Sequence, residues 1–510
     1  MINVLEYLEK TLLNADVHDK PAFVGDREAL SFVELSHISR SVGSFLAGRG
    51  LFRKPIAVFM EKSPAMIATF LGTLYGGNYY VPLDEEIPFL RIRLILETCN
   101  PPLIICDEKT IALINEWGLP YEAVLYSEIK ENTIDEVALA DVRARCIDTD
   151  PMYVVFTSGS TGTPKGVIAN HRSVIDYIEN LSEILEVNSD TVYGMQSPLY
   201  LDACLKEIYP TLKFGATSYL IPRSLFMFPV KLIEYIVEKG INTICWVASA
   251  LGLVAGLGAL DKNIPHTLKI IAFGSEVFPI KHFNLWREKL PNTKFIHLYG
   301  PTEATGMSTY YEVNRTYGLD ESIPIGKPFR NSEVILLDDN DRIPEQGEPG
   351  EICIRGTCVT LGYFGDEVRT KAAYKQNPLS AFPDVIYRTG DLGYLGDDGE
   401  LYFISRKDHQ IKHMGHRIEL TEIEWYATQS DGIEMACAVF DKIDNRIILY
   451  CLAQKMEKPE IIKYLKSNLP RYMMPHVVEK VDEIPLTPGG KFDRVGLLNK
   501  YYSTGKGKKT

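Results

Sequence analysis

Ile56-Ala57-Val58-Phe59-Met60 is a run without a polar side chain, and Ser63-Pro64 follows almost at once. A strand apolar at every position has to be buried on both faces of its sheet. Ser63 then offers an N-cap and Pro64 a first helical position, so a helix through about Tyr75 is predicted. The neighbouring sequence has the same texture. Ser31-x-x-Glu34 is a capping box, and Phe32, Leu35, Ile38, Val42, Phe45 and Leu46 follow at helical spacing. Leu103 to Cys106 is a second short buried strand. Doubly buried strands alternating with helices call for a parallel sheet with right-handed crossovers.

That alternation continues through the middle of the chain. Near Val334 it gives way to short strands and Gly/Asp turns, as where Val334-Ile335-Leu336-Leu337 runs into Asp338-Asp339-Asn340-Asp341. Past the polar stretch Ser405-Arg406-Lys407-Asp408-His409, Ala436 to Phe440 and Ile447 to Leu452 flank a polar turn as a hairpin. A helix is predicted from Pro459, with Ile461, Ile462, Leu465 and Leu469 on one side. The expected fold class is α/β. A large N-terminal domain (1–405) has parallel-rich sheets, flanking helices and a β subdomain, and a small α+β C-terminal domain covers 406–510.

Charge and cysteine content narrow the function. The 54 basic and 67 acidic residues leave a net −13, which argues against a surface built for nucleic-acid backbones but permits a small basic nucleotide pocket. The nine cysteines contain no CxxC pair, so neither a disulfide framework nor a zinc site is expected, and a cytoplasmic protein is. The start of the chain has no signal-peptide pattern. Ile241 to Leu260 carries no charge, yet Asn242, Thr243, Ser249 and three glycines dilute it. A buried strand over Thr243 to Val247 followed by a helix explains it better than a membrane span, and no membrane partner is expected.

The stretch Thr157-Ser158-Gly159-Ser160-Thr161-Gly162-Thr163-Pro164-Lys165-Gly166 follows the apolar Tyr153-Val154-Val155-Phe156. Glycines that admit backbone N–H groups, hydroxyl donors and a lysine are the chemistry of a phosphate cradle. It is not a Walker A loop, because Pro164 and Gly166 stand where that motif needs Gly and Ser or Thr. Alone, such a stretch also fits a plain surface loop.

Other segments decide the matter. Gly76-Gly77-Asn78-Tyr79-Tyr80-Val81-Pro82-Leu83-Asp84, the 157–166 loop, Tyr299-Gly300-Pro301-Thr302-Glu303 and Tyr387-Arg388-Thr389-Gly390-Asp391-Leu392 occur in that order. Arg406-Lys407-Asp408, Gly415-His416-Arg417-Ile418-Glu419 and Gly489-Gly490-Lys491-Phe492-Asp493-Arg494 complete the series. In this ordered set the chain resembles the adenylate-forming enzymes: acyl-CoA synthetases, firefly luciferase and the adenylation domains of nonribosomal peptide synthetases. The resemblance implies a ligase that joins a carboxylate to the α-phosphate of ATP, with Mg²⁺ as cofactor. It implies that Lys491 bridges the carboxylate and the α-phosphate, Glu303 holds Mg²⁺, Thr302 touches the α-phosphate and Tyr299 stacks on adenine. Asp391 would take the ribose hydroxyls, with Arg406 near ribose and phosphate, and Thr157, Ser158, Gly159, Ser160, Thr161, Gly162 and Lys165 would line the phosphates. Taken one at a time, Lys491 and Asp391 also read as turn residues and Glu303 as a helix-start carboxylate.

The substrate is read from Tyr200-Leu201-Asp202-Ala203. In the family, amino-acid-activating members carry an Asp here that pairs with the substrate ammonium, although Leu201 stands where an aromatic is usual. Asp202 is otherwise a helix N-cap, paired with Lys206. The resemblance places Lys206, Ser249, Ile271, Phe273, Leu298, Gly306 and Met307 around the substrate. Lys206 either reads an acidic or amide side chain or merely fills the pocket, with Phe273 shortening it.

The acceptor is also inferred. The chain ends about sixteen residues past Arg494, too few for an attached carrier domain, so a separate phosphopantetheinylated carrier protein is the expected partner. The family's small domain rotates about a hinge, which Asp408 matches. The layout is similar to D-alanine–carrier-protein ligases, but Gly274-Ser275-Glu276 departs from their Cys-Gly-Glu, and His297 replaces a frequent Asn at an adjacent position. His409, His413 and His416 have a spacing that hints at a metal, without Cys or acidic partners. The competing readings are an acyl- or aryl-CoA synthetase on the same fold and a nucleotide-binding scaffold without catalysis.

Overall fold

Pro55–Phe59 is buried at every position and lies inside a six-stranded sheet. Its order is Ala123–Leu125, Leu103–Cys106, Pro55–Phe59, Tyr79–Leu83, Pro151–Thr157, Lys165–Asn170. The pairings from Ala123–Leu125 across to Pro151–Thr157 are parallel. The computed structural model describes residues 1–159, 163–407, 410–453, 455–486 and 492–504. Ser63 caps the helix Pro64–Tyr75 by accepting from the Met66 amide, with Pro64 at its first turn. The Ser31/Glu34 capping box forms at the head of Phe32–Gly48.

A nine-stranded sheet runs Lys327–Pro328, Thr309–Glu312, Lys294–Tyr299, Ile270–Gly274, Thr243–Val247, Val192–Met195, Thr217–Leu220, Pro21–Val24, Ala29–Ser31. Its six inner strands are parallel and its edges antiparallel. The uncharged stretch near 250 is the buried strand Thr243–Val247 followed by the helix Ala248–Gly256. No helix among the described residues is long and apolar enough to cross a membrane. Ser332–Leu337, Gly350–Gly356, Val385–Leu395, Tyr374–Gln376 and Leu401–Arg406 make a separate five-stranded sheet.

The chain divides into two compact units, and a single cut between 405 and 406 does not separate them. One unit holds 1–85, 98–155 and 166–405; the other holds 86–97, 156–165 and 406–510. The short inserts belong to the second unit through side-chain packing. Leu90 joins the apolar core built by Ile418, Ile423, Ile447 and Leu465, and Arg91 is ion-paired to Glu422. That unit contains the hairpin Met435–Asp441 and Arg446–Leu452, extended by Val477–Lys480, and the helix Lys458–Asn468.

Candidate active site

In the first unit, strand Lys294–Tyr299 ends in a tight turn that carries Thr302 and Glu303. Two features fold the turn back on itself. A Cβ on Gly300 would lie 2.5 Å from the Gly306 carbonyl oxygen and from Met307 Cα, so only glycine fits. Thr305 (φ 52°) and Gly306 (φ 85°) then both take the left-handed conformation. Glu303 is fully buried, and the Tyr363 hydroxyl donates to its Oε1 at 2.7 Å. The Thr360 amide donates to the Glu303 carbonyl at 3.0 Å, and the Thr305 hydroxyl to the Cys358 carbonyl at 2.6 Å. Tyr299, the last residue of the strand, donates its hydroxyl to Asp391 Oδ2 at 2.6 Å. Asp391 is itself buried on strand Val385–Leu395.

Asp202 opens a short 3₁₀ turn, Asp202–Cys204, ahead of helix Leu205–Phe214, and no side chain caps either element. The N-cap alternative for Asp202 is therefore not realised. Burial pushes its carboxyl up from the usual range; a hydrogen bond from Thr302 and the charge of Lys206 act against that, and Glu303 adds to it. Lys206 is 3% exposed, and among the described residues no ion pair or hydrogen bond holds it.

The register of the large sheet sorts the other expected pocket residues. Phe273 pairs with His297, and Gly274 with Leu298. Successive residues on a strand face opposite ways, so Phe273 and Leu298 lie on opposite faces. Leu298 and Met307 join the core that also takes Leu205 and Ile208 of the Asp202-bearing helix. Phe273 instead stacks on His297 (5.0 Å, 12°) and packs with Phe278 and Phe283, and Ile271 joins the same core. The structure thus brings Asp202, Lys206 and Thr302 together with Leu298 and Met307 on their face, and turns Phe273 away. Ser249, in helix Ala248–Gly256, donates its amide to Glu276 Oε2 at 3.1 Å.

In the second unit, Thr157 ends its strand buried, its hydroxyl without a partner among the described residues. Ser158 Oγ donates to the Arg417 carbonyl at 2.6 Å, and the Gly159 amide to Glu422 Oε2 at 3.2 Å. Burial pushes Glu422 up to about 7, against the pull of Arg91. Lys165 opens strand Lys165–Asn170 and Arg406 closes Leu401–Arg406. Ser160, Thr161, Gly162, Asp408 and Lys491 lie outside the described residues. Of the histidine trio, His413 meets Asn445 and His476, and His416 stacks on Tyr472; His409 also lies outside. No cluster of three or more metal-type ligands occurs among the described residues.

Sequence reasoning missed Tyr363, which holds Glu303 across sixty residues, and Arg91, paired with Glu422. No spacing rule links such partners.

Residues 13–364 match the AMP-binding enzyme family. The D-alanine--D-alanyl carrier protein ligase of Bacillus licheniformis is 30% identical over 492 residues, 94% of this chain and 96% of that protein. Surfactin synthase subunit 1 of Bacillus subtilis is 29% identical over 97% of this chain, which spans only 14% of that protein's length. A solved holo nonribosomal peptide synthetase protein containing adenylation and PCP domains, bound to a vinylsulfonamide inhibitor, has the same fold. Its TM-score is 0.83 at 23% identity, over 98% of this chain and 84% of that one. With over two-thirds of its length matched and a buried Glu303–Tyr363 and Asp391–Tyr299 frame around the shared turn, the chain belongs to the AMP-binding enzyme family.

Proposed function

We propose that this enzyme activates an amino acid with ATP as an aminoacyl-adenylate, releases pyrophosphate, and hands the aminoacyl group to the phosphopantetheine thiol of a separate carrier protein. Asp202 carries this reading. Its half-buried carboxylate sits beside Thr302, where a substrate ammonium supplies the missing counter-charge and a fatty acid leaves it unmatched. The likeness to a D-alanyl carrier protein ligase along nearly its whole length supports the same choice.

In the first step a substrate carboxylate oxygen attacks the α-phosphorus and the bond to pyrophosphate breaks. Two anions meet, so positive charge has to be in place. Lys491 supplies it between carboxylate and α-phosphate. The substrate ammonium takes the Thr302 hydroxyl's place on Asp202, which frees that hydroxyl for an α-phosphate oxygen. Tyr299 and Asp391 face adenine and ribose, with Arg406 near the ribose, and 157–162 with Lys165 line the phosphates. The buried Glu303 carboxylate is of the kind that holds Mg²⁺ together with phosphate oxygens, and the ion supplies further charge neutralisation when bound. In the second step the thiol sulfur attacks the adenylate carbonyl and AMP leaves. Residues 406–510 act as a mobile domain hinged at Asp408, withdrawing Lys491 between the steps.

Lys206 points to a substrate with an acidic or amide side chain, since a lysine in buried surroundings that makes no ion pair or hydrogen bond among the described residues favours an anion or acceptor there. We place the activity in the cytoplasm, in keeping with nine free thiols.

ATP–pyrophosphate exchange over all L- and D-amino acids, with aryl and fatty acids as controls, tests the reading. Exchange with amino acids only, led by acidic or amide ones and lost in Asp202→Ala, is expected. Exchange with fatty or aryl acids instead would make it an acyl- or aryl-CoA synthetase, and silence throughout a scaffold. Lys491→Ala should stop adenylate formation yet spare transfer from a supplied aminoacyl-adenylate.

A further inference from the structure

Behind Asp202, on the next turn of chain, lies a charge that the proposed chemistry does not use. Glu207, beside Lys206 on helix Leu205–Phe214, is 0% exposed, and neither carboxylate oxygen has a hydrogen-bond partner among the described residues. A buried carboxylate left so is costly unless something else gains from it. Its charged surroundings are Lys206 and Lys62. Lys62, just ahead of helix Pro64–Tyr75, donates its ammonium to the Met195 carbonyl at 3.0 Å and the Gln196 carbonyl at 3.2 Å. Those carbonyls close strand Val192–Met195 and begin the connection that leads to Asp202.

Within that connection, 196–204, Tyr200 and Asp202 have contacts beyond the segment, and the backbone contacts inside it are weak among the described residues. Its internal contacts are long: the Leu201 amide to the Pro198 carbonyl at 3.4 Å, the Cys204 amide to the Leu201 carbonyl at 3.3 Å, and Cys204 Sγ to the Leu199 carbonyl at 3.8 Å. Gln196 Oε1 and Ser197 Oγ are buried without partners. One end is therefore fixed by Lys62 and the other by the helix that carries Glu207.

We propose that Lys62 and Glu207 form a positioning pair for the amino-acid subsite: the ammonium clamps the strand end, the carboxylate compensates it from the helix, and the segment between them holds Asp202 in register. Glu207 exerts the largest charge influence on Lys62, ahead of Arg223, Cys204 and Asp84. The titratable groups that share an electrostatic interaction with Glu207 are Lys206, Lys62, Cys204, Cys245, Tyr177 and Tyr193. Burial brings the two groups towards each other in proton affinity, Glu207 up to about 8 and Lys62 down to about 8. Neither residue touches substrate; both act through Asp202, and the inference rests on the reading of Asp202 as the ammonium site.

The test uses the full-length enzyme with Lys62→Met, Glu207→Gln and the double variant. Amide hydrogen exchange is followed over 196–204, and pyrophosphate exchange is measured with whichever of the L- and D-amino acids reacts fastest. Each single change should speed exchange in 196–204 and raise the amino-acid KM about tenfold, leaving the ATP KM within about twofold. The double variant should do no more than the worse single one, as for groups acting together. Unchanged exchange in 196–204, equal losses for both substrates, or additive effects would overturn the pair. Glu207→Leu, which keeps the helix apolar, checks that lost charge rather than lost folding is responsible. If Asp202→Asn leaves the amino-acid KM unaltered while exchange in 196–204 still responds to Lys62→Met, the Asp202 reading fails and the pair stands.

Discussion

The two ends of the site treat buried charge in opposite ways. At the turn after Tyr299, each carboxylate already has a donor: Tyr363 on Glu303, and Tyr299 on Asp391. At the Asp202 end, neither Glu207 oxygen has a hydrogen-bond partner among the described residues, only the charges of Lys206 and Lys62 act on it, and Asp202 has only neutral donors. On the proposed reading, a carboxylate fixed by a tyrosine is pre-organised for the nucleotide, the ligand that does not vary. On the same reading, a carboxylate such as Asp202, met only by neutral donors, is left for the ammonium that has to be recognised.

Breaking the fixed end should cost most. Glu303→Ala should lower kcat for pyrophosphate exchange about a thousandfold, roughly 4 kcal/mol, with higher Mg²⁺ demand, measured by metal titration of the exchange rate. A loss under tenfold would mean Glu303 is structural. At the other end, Asp202→Asn should lower kcat/KM for the amino acid about a hundredfold while the ATP KM stays within about twofold. Equal losses for both substrates would erase the contrast between the ends. Tyr363→Phe should be milder, about tenfold in kcat, because it removes one hydrogen bond of about 1–1.5 kcal/mol from Glu303. A Tyr363→Phe enzyme as slow as Glu303→Ala would promote the tyrosine to a larger part.

Much of this frame could be read in the chain. Ile56 to Met60 and Thr243 to Val247 announce themselves because a doubly buried strand has no room for polar residues. Ser63-Pro64 and Ser31/Glu34 work through contacts three residues apart, the range over which sequence is informative. The membership of 86–97 and 156–165 in the second unit was not legible, since it depends on Arg91 meeting Glu422 some 330 positions away. Motif order singles out Asp202, Glu303 and Asp391, and the structure adds the tyrosine hydroxyls on Glu303 and Asp391. The resemblance puts Phe273 around the substrate, whereas strand register sets it on the face opposite Leu298, which only the Phe273–His297 pairing reveals. Lys62 and Glu207 were invisible for the same reason as Tyr363: their meaning is a relation across folds of the chain.

The smallest expected effect concerns stability and separates the unmatched end by its pH dependence. Burial raises Glu207 to about 8 from an ordinary 4.5, so the folded protein holds that proton more tightly than the unfolded chain. Its contribution is intact below about 4.5 and is lost as pH rises towards 8. Lys62 runs the other way in a higher window. Lowered to about 8 from 10.5, it favours the folded state increasingly as pH climbs from 8 to 10.5. Glu207→Gln keeps the neutral form at every pH and removes the first slope only. Its melting temperature should therefore gain on the parent between pH 5 and 8, by a few degrees at most for a chain this long, and the second slope should persist until Lys62→Met removes it. A Glu207→Gln profile parallel to the parent's would mean that Glu207 does not titrate across this window, and the pH contrast between the two ends would be lost.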